Sequence, residues 1–445
     1  MSEKFEVTRG QLEQEHIDLD TAFCATSEDP LRSFVKSLTL DIYDTVGEPI
    51  ATNNATTHGA RTLAEFAELK RRESLGELRD EEAEYFRYGT PVTRRVESAL
   101  AELEGGESAT VFRSGMAAIS TVIDSILPLS KETAHIIVGT EGYRQTRNIL
   151  ERLAQRGLVD LTVVPMNHFS NVAEYLKPNT KAIFFETPSN PYLRVIDVAE
   201  VKSQLQSAQS EALLIVDHTF ASPINQRPLE QGADLVVPSL TKYIGGNNQV
   251  GAGAVIGQRE LVEATRELRS QQGNIAHDSD CLGVELGLET LGNRVAASNA
   301  NGMHVANLLS RHPLVTKLWY PGHPSHENYE IAQRQMSGFG GVVSFRIQAR
   351  DFQDIAAFSD AFIAASPKGT YIAPSFGGDL PLLSVVTVVS HFQQTAEQRL
   401  ERGIPNDLIR LSVGTVPQQQ LTDALEAGFA ALADALSQRR QQRFS

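Results

Sequence analysis

Residues 233–257 read ADLVVPSLTKYIGGNNQVGAGAVIG, and the rest of the chain is interpreted outward from this stretch. The apolar run 235–237 is typical of a short buried strand, and the turn after it carries Ser239, Thr241 and Lys242. A lysine amine at the end of a strand can form a Schiff base with a carbonyl cofactor, and the two hydroxyls can donate hydrogen bonds to a phosphate. The glycines that follow allow close backbone approach and positive φ angles. The alternative is a surface lysine in a glycine-rich loop.

Residues 213–220, LLIVDHTF, predict a second buried strand that ends at an acid, Asp217. The carboxyl ends of parallel strands are where α/β enzymes bind ligands. A carboxylate there can keep the pyridine nitrogen of pyridoxal phosphate protonated, which makes the ring an electron acceptor. Alternatively, Asp217 caps the next turn. Asp217 and Lys242 together, each closing a strand in one α/β stretch, favour the cofactor interpretation.

The segment from Val216 to Gly246, VDHTFASPINQRPLEQGADLVVPSLTKYIGG, resembles the core signature of the Cys/Met-metabolism family of pyridoxal-phosphate enzymes, the cystathionine γ-synthase and γ-lyase group. The resemblance implies the α/β fold called type I, a mostly parallel doubly wound sheet with a smaller C-terminal α+β domain. The alternation of strand and helix patterns over residues 109–257 is typical of such a sheet. Further blocks follow the family's order: YFRYGTP, FRSGMAAI, ETPSNPYLRVID, GLETLGNRVAASNANG, FGGVVSF, PSFGGD and IRLSVG.

The resemblance implies a set of residues that bind pyridoxal 5′-phosphate. Gly115 and Met116 would cradle the phosphate with backbone N–H groups at a helix N-terminus. Tyr143 would stack on the pyridine ring and, with Lys242, act in catalysis. Asn190 would contact the phenolic oxygen, although an asparagine before proline is also an ordinary turn residue. The full implied set is Lys242, Asp217, Ser239, Thr241, Gly115, Met116, Tyr143, Asn190, Tyr85 and Arg87.

Tyr85 and Arg87 differ from the rest of that set in the subunit whose cofactor they are expected to bind. In the resembling family this pair reaches the cofactor phosphate of a neighbouring subunit, and a guanidinium suits such a contact because it binds phosphate oxygens in pairs. The expected assembly is therefore a homo-oligomer with shared active sites, and a tetramer by resemblance. The alternative is a loop arginine that pairs with Glu82 or Glu84.

Two C-terminal residues are expected to bind the amino-acid substrate. Arg410 is the one charge in the apolar run LIRLSVG, and a buried arginine is costly unless an anion meets it. The resemblance implies that Arg410 binds the substrate α-carboxylate and that Ser375 makes a second contact. The alternative for Arg410 is an internal salt bridge.

The composition of the 445-residue chain is that of a globular protein, with 41% hydrophobic and 21% charged residues. The net charge of −15 argues against nucleic acid or an anionic membrane as partner. Cys24 and Cys281 are the two cysteines, so neither a disulfide framework nor a structural metal site is expected. MSEKFEVTRG at the N-terminus lacks an apolar signal core and no run reaches membrane-spanning length, so the expected location is the cytoplasm.

We predict three parts for the chain: an N-terminal arm, residues 1–84, a large cofactor-binding domain, residues 85–295, and a C-terminal α+β domain, residues 296–445. Residues 1–84 are mixed and polar, and the resemblance is poorest there. In the family this region is an arm that reaches a neighbouring subunit. A long helical stretch over residues 276–310 is expected to connect the two domains.

The expected reaction is a γ-elimination or γ-replacement on a homoserine-type or sulfur-containing amino acid. A β-lyase of the same fold and a catalytically idle relative are the alternatives; retention of Lys242 and Arg410 speaks against idleness. Family members that handle cystathionine usually carry a glutamate where this chain has Leu380, so cystathionine itself is not the expected substrate. Asp379 and Arg144 are the new charges near the site. An acid would suit a basic distal group and an arginine an acidic one; the sequence leaves open which faces the pocket.

Overall fold

The computed structural model describes residues 62–75, 82–83, 85–127 and 132–444. The chain divides into two units, residues 1–68 and 69–445, and the site lies in the second. Most of the predicted N-terminal arm, residues 1–84, lies outside the described residues. Its described part includes helix α1 (Leu63–Leu75).

A seven-stranded sheet forms the first half of the second unit, in the order β1-β7-β6-β5-β4-β2-β3. Neighbouring strands from β6 to β3 run parallel, whereas β7 lies antiparallel between β1 and β6. The predicted, mostly parallel α/β sheet is therefore confirmed. The strands are β1 (Ser108–Phe112), β2 (Ala134–Gly139), β3 (Val159–Val164), β4 (Thr180–Glu186), β5 (Leu213–Asp217), β6 (Leu235–Val236) and β7 (Gly253–Gly257).

Both faces of this sheet are covered, as its apolar strands require. Successive strand residues point to opposite faces, so Leu214 and Val216 pack in one buried cluster and Ile215 in another. Helices α2, α5 and α8 contribute to the first cluster and α3, α4 and α7 to the second. These helices and short α6 are α2 (Pro91–Glu104), α3 (Gly115–Ile126), α4 (Arg144–Gln155), α5 (Val198–Ser207), α6 (Ser222–Asn225), α7 (Arg259–Gln272) and α8 (Asp278–Arg311), with 3-10 turns at Phe86–Tyr88 and Met166–Tyr175.

A second, smaller sheet of five strands follows helix α8, in the order β10-β11-β12-β9-β8. Helices α10 and α13 pack on it through residues such as Phe358 and Leu425. The predicted domain boundary at residue 295 falls inside helix α8, which runs unbroken through it. The boundary stays a prediction. The elements are β8 (Val315–Trp319), α9 (Tyr329–Gln335), β9 (Val342–Ile347), α10 (Phe352–Ala365), β10 (Tyr371–Ile372), β11 (Leu382–Val385), α11 (Val386–Val389), α12 (Ala396–Glu401), β12 (Leu408–Ser412) and α13 (Gln418–Phe444).

Candidate active site

A cavity of about 570 Å³ opens at the carboxyl ends of strands β2, β4 and β5. Parallel strands bring the side chains that follow them to this edge, which is why residues distant in sequence meet here. The sequence-predicted residues that line it are Gly115, Met116, Tyr143, Asn190, Asp217, Ser239, Thr241, Lys242 and Arg410. Their roles in binding and catalysis stay predictions.

Backbone packing shapes one end of the cavity, at the N-terminus of helix α3. Ser114 caps this helix by accepting a 3.1 Å hydrogen bond from the Ala117 N–H. A Cβ atom on Gly115 would lie 3.1 Å from the Ser239 Cβ, and one on Gly253 would lie 2.5 Å from the Gly115 Cα. Glycine is therefore needed for this approach, and the resulting cradle at a helix N-terminus suits a phosphate.

Thr241 and Ser239 lie beside this cradle with different hydrogen bonds. The Thr241 hydroxyl bonds the backbone of Ala252, accepting from its N–H at 3.2 Å and donating to its carbonyl at 3.3 Å. The Ser239 N–H donates to the Thr219 hydroxyl at 2.9 Å, which fixes the turn after β6. Both predicted residues face the cavity, but the Thr241 hydroxyl already has backbone partners.

Asp217 is buried at the end of β5 with an exposed fraction of 5%. Its Oδ1 accepts hydrogen bonds from the Thr219 N–H at 3.0 Å and the Thr219 hydroxyl at 2.5 Å. Burial raises the pKa of the Asp217 carboxyl above its ordinary value, and the Thr219 bonds and the His218 charge offset only part of that rise. Asp217 therefore does both things that the sequence allowed: it caps the following turn and lines the cavity.

Lys242 presents its side-chain amine to the cavity. Its Nζ donates a 2.9 Å hydrogen bond to the Ser375 hydroxyl. Burial, and then the charge of Arg410, lowers the pKa of the Lys242 amine to about 8. An amine with this pKa can lose its proton near neutral pH and act as a base or nucleophile. Ser375, which is predicted to bind substrate, thus contacts Lys242, which is predicted to act in catalysis.

Arg410 lies on β12 with an exposed fraction of 5%. Its Nη1 donates to the Asn190 Oδ1 at 2.8 Å, and its guanidinium lies over the rings of Phe220 and Phe376, at 5.7 and 5.6 Å from their centroids. Burial lowers the pKa of Arg410 to about 10. Within the described residues no ion pair to Arg410 is found, so the internal salt bridge is not supported and the charge is available to an anion.

Tyr143 precedes helix α4, and its half-exposed ring lines the cavity. The Tyr143 N–H donates a 2.7 Å hydrogen bond to the Oε2 of Glu186, the last residue of β4. This bond ties the loop that bears the ring to the edge of the sheet. The position agrees with the predicted stacking role.

Tyr85 and Arg87 do not line the cavity of their own chain. The Arg87 guanidinium lies over the Tyr85 ring, 4.9 Å from its centroid, and its Nε has no hydrogen-bond partner among the described residues. Glu82, proposed as an alternative partner, accepts from Arg72 at 2.7 Å, and Glu84 lies outside the described residues. The role of the pair toward another subunit stays a prediction.

Several lining residues were not singled out from the sequence. Glu186 could have been noticed, because it closes a buried strand as Asp217 does. His391 and Arg402 carried no such signal, because each lies in a turn after a short helix, α11 or α12. Of the two new charges, Arg144 lines the cavity, whereas the Asp379 carboxylate accepts from the Thr415 hydroxyl at 3.3 Å and does not line it.

Comparison with known proteins decides the family. Residues 43–430 match the model of the family described as "Cys/Met metabolism PLP-dependent enzyme". The chain belongs to this family. The Cys/Met-metabolism assignment confirms the predicted α/β type I fold, the enzymatic nature of the chain and its cofactor, pyridoxal 5′-phosphate. The glycine cradle, the buried Asp217 and the free amine of Lys242 fit that cofactor's phosphate, ring nitrogen and carbonyl group.

Three relatives within the Cys/Met-metabolism family illustrate its range. Cystathionine gamma-synthase 1, chloroplastic, of Arabidopsis thaliana is 36% identical over 382 residues, which are 85% of this chain and 66% of that protein. Cystathionine beta-lyase of Lactococcus lactis subsp. cremoris is 36% identical over 78% of this chain and 88% of its own. The crystal structure of cystathionine gamma synthase from Xanthomonas oryzae in complex with cystathionine has a TM-score of 0.76 at 30% identity, covering 86% of this chain and 92% of that one.

These relatives support β- or γ-elimination or replacement on sulfur-containing amino acids as the general activity of the chain, and they leave the substrate open. No helix in the described part of the chain combines the length and apolar character that crossing a bilayer requires.

Proposed function

We propose that the protein catalyses γ-elimination or γ-replacement on a γ-substituted amino acid other than cystathionine. The observation that carries this proposal is the Lys242 amine, which faces the cavity and is hydrogen-bonded to a hydroxyl rather than neutralised by an acid. Chemistry at the γ-carbon requires proton removal at both the α- and β-carbons. A single mobile amine can serve both positions in turn.

When bound, pyridoxal phosphate supplies a carbonyl carbon for the substrate amine and an electron-accepting ring. Asp217 holds the negative charge at the ring nitrogen, and Arg410 binds the substrate carboxylate with a pair of N–H groups. Lys242 removes the α-proton and then moves a proton at the β-carbon, and the γ-substituent leaves with its bonding electron pair. Addition of water gives 2-oxobutyrate and ammonia, whereas a nucleophile gives a γ-substituted product.

The charges that line the rest of the cavity support an acidic γ-substituent, such as an acyl or phosphoryl ester that carries a carboxylate or phosphate. Arg144 and Arg402 line it together with His391. Burial lowers the pKa of His391, and the charges of Arg144 and Arg402, which line the same cavity, lower it further. Leu380 is not among the lining residues.

The acids that line the cavity already have hydrogen-bond or ion-pair partners, and this weakens the case for a cationic distal group. Glu186 and Asp217 end strands β4 and β5, and Glu141 follows β2 and pairs with Arg194 at 2.8 Å. In the described residues no further acid lines the cavity. The distal end of cystathionine carries an ammonium group beside a carboxylate, and that ammonium group would lack a free acid to pair with among the described lining residues.

The test is a panel of substrates assayed with the purified holoenzyme: cystathionine, methionine, canavanine, and homoserine esters with a neutral acetyl, an anionic succinyl or a phosphoryl group. We expect 2-oxobutyrate or γ-replacement products, with the anionic esters best. Pyruvate as the keto product would indicate the β-lyase alternative. Cystathionine as the best substrate by a wide margin would contradict the substrate proposal, and no product from any compound would favour the idle relative.

We also propose that the working form is a homo-oligomer, with a tetramer expected by resemblance. The supporting observation is that Tyr85 and Arg87 lie outside the cavity of their own chain, although the family resemblance gives them a phosphate to bind. Sedimentation of the holoenzyme tests the assembly.

A further inference from the structure

Two carboxyl groups lie side by side at the edge of the cavity. Glu186 is the register partner of Asp217 in the neighbouring parallel strand, and both residues end their strands. Register partners present their side chains on the same face of a sheet. Their exposed fractions are 4% and 5%, so water screens neither group well. Two buried carboxylates this close do not both ionise readily.

Their hydrogen bonds differ in a way that decides which one carries the charge. Asp217 accepts two bonds from Thr219. Glu186 accepts one bond, from the Tyr143 N–H, and its Oε1 is buried with no hydrogen-bond partner among the described residues. Each hydrogen bond that a carboxylate accepts stabilises its ionised form, and Asp217 accepts two where Glu186 accepts one. The negative charge therefore belongs on Asp217 and the proton on Glu186.

The surroundings of Glu186 also favour its neutral form. Burial raises the pKa of the Glu186 carboxyl well above its ordinary 4.5, and the charge of Asp217 raises it further. Glu141, in the loop after β2, adds a smaller rise, while the Tyr143 N–H and the charge of Arg410 on β12 lower the pKa. The raising effects outweigh the lowering ones, so the pKa of the Glu186 carboxyl lies well above its ordinary value.

We propose that Glu186 is a positioning residue for Tyr143, and that its neutral carboxyl group holds the Tyr143 backbone at the cofactor while Asp217 alone carries negative charge at the ring nitrogen. The loop is built for this contact. Gly142 has a φ of 136°, and a Cβ there would lie 3.3 Å from the Glu186 Cβ. The inference goes beyond the proposed function because it concerns the cofactor, so it stands whichever substrate is used.

Two variants separate the parts of this inference. The amide of Glu186→Gln can accept the same bond from Tyr143 without a charge. We expect it to bind pyridoxal phosphate within about twofold of the wild type and to keep the visible circular dichroism of the bound cofactor. Glu186→Ala cannot accept the bond and should lose about tenfold in cofactor affinity, a change of about 1.4 kcal/mol, together with that signal.

Thermal unfolding of the cofactor-free protein provides an independent measurement. A carboxyl group whose pKa is higher in the folded than in the unfolded protein stabilises the fold most at pH values below its unfolded pKa. This stabilisation is lost as pH rises through the folded pKa. Glu186→Gln should therefore gain melting temperature relative to the wild type as pH rises from mildly acidic to alkaline. Glu97→Gln should not, because burial raises the pKa of the Glu97 carboxyl but the charges of Arg266 and Arg269 outweigh it and lower that pKa.

Two results would overturn the proposal. Cofactor binding by Glu186→Gln as weak as that of Glu186→Ala, or a melting temperature below the wild type at every pH, would mean that the charge is required. Wild-type cofactor affinity and circular dichroism in Glu186→Ala would mean that Tyr143 needs no anchor. If Glu186→Ala does not fold, Glu186→Gln alone decides.

Discussion

The Arg410 Nη1 donates a 2.8 Å hydrogen bond to the Asn190 Oδ1, and this bond joins strand β12 of the small sheet to the turn after β4 of the large one. Arg410 is thus oriented by a neutral amide and by two aromatic rings. A buried cation held in this way keeps its charge for an incoming carboxylate. If Arg410 binds the substrate carboxylate as we propose, substrate capture depends on this contact between the two sheets.

Replacement of Arg410 by lysine should show the value of that orientation. A lysine keeps the charge but loses the forked pair of N–H groups, so we expect KM to rise about 100-fold, or about 2.7 kcal/mol, with kcat changed less. Steady-state kinetics of Arg410→Lys measures this. Arg346→Lys on neighbouring β9, where the arginine is half-exposed and pairs with Asp407, is the matched control. Equal KM values in the two variants would argue against the carboxylate role.

The cofactor-binding part of the site, with Asp217 and Lys242, could be predicted from the sequence because a short apolar run followed by polar residues is typical of a strand end. Asp217 ends the apolar strand β5 and Lys242 lies in the turn after β6, and parallel strands bring such residues to one edge. The antiparallel direction of β7 could not be predicted, because a run such as GAVIG is equally apolar in both directions. His391 and Arg402 could not be predicted either, since only the packing of the turns after the short helices α11 and α12 brings them to the cavity.

The two cavity arginines should control the choice of γ-substituent. Arg144→Ala and Arg402→Ala should each raise KM about tenfold for an anionic homoserine ester, because each removes one charge facing that group, and should change the acetyl ester little. The control is Arg147→Ala, which also lines the cavity but pairs with Glu151 at 2.7 Å. Equal losses with neutral and anionic esters would show that the arginines serve packing only.

The pH dependence of Lys242 reactivity follows from its environment. Because burial and Arg410 lower the pKa of the Lys242 amine to about 8, its reactive neutral form should predominate above that pH and decline below it. In the cofactor-free protein, modification by an amine-specific reagent, followed by peptide mapping, should be half-maximal near pH 8. Arg410→Gln should shift the midpoint upward. A midpoint near the ordinary 10.5 would contradict the assigned environment.

Mixed oligomers test whether Arg87 serves a neighbouring subunit. Arg87→Ala and Lys242→Ala chains should each be inactive alone, but a hybrid contains sites in which both residues are intact. Co-refolding differently tagged chains and isolating the hybrid should restore part of the wild-type activity. If verified hybrids stay inactive, Arg87 acts within its own chain or not at all.

The most direct test of the account is the visible spectrum and turnover of Lys242→Ala reconstituted with pyridoxal phosphate, beside Lys181→Ala, which removes an exposed lysine from strand β4. We predict that Lys242→Ala lacks the absorption band of the wild-type holoenzyme and forms keto acid at least about 10³-fold more slowly, because it loses both the cofactor attachment and the base. Lys181→Ala should match the wild type. Wild-type turnover in Lys242→Ala would contradict the central claim that this amine performs the chemistry.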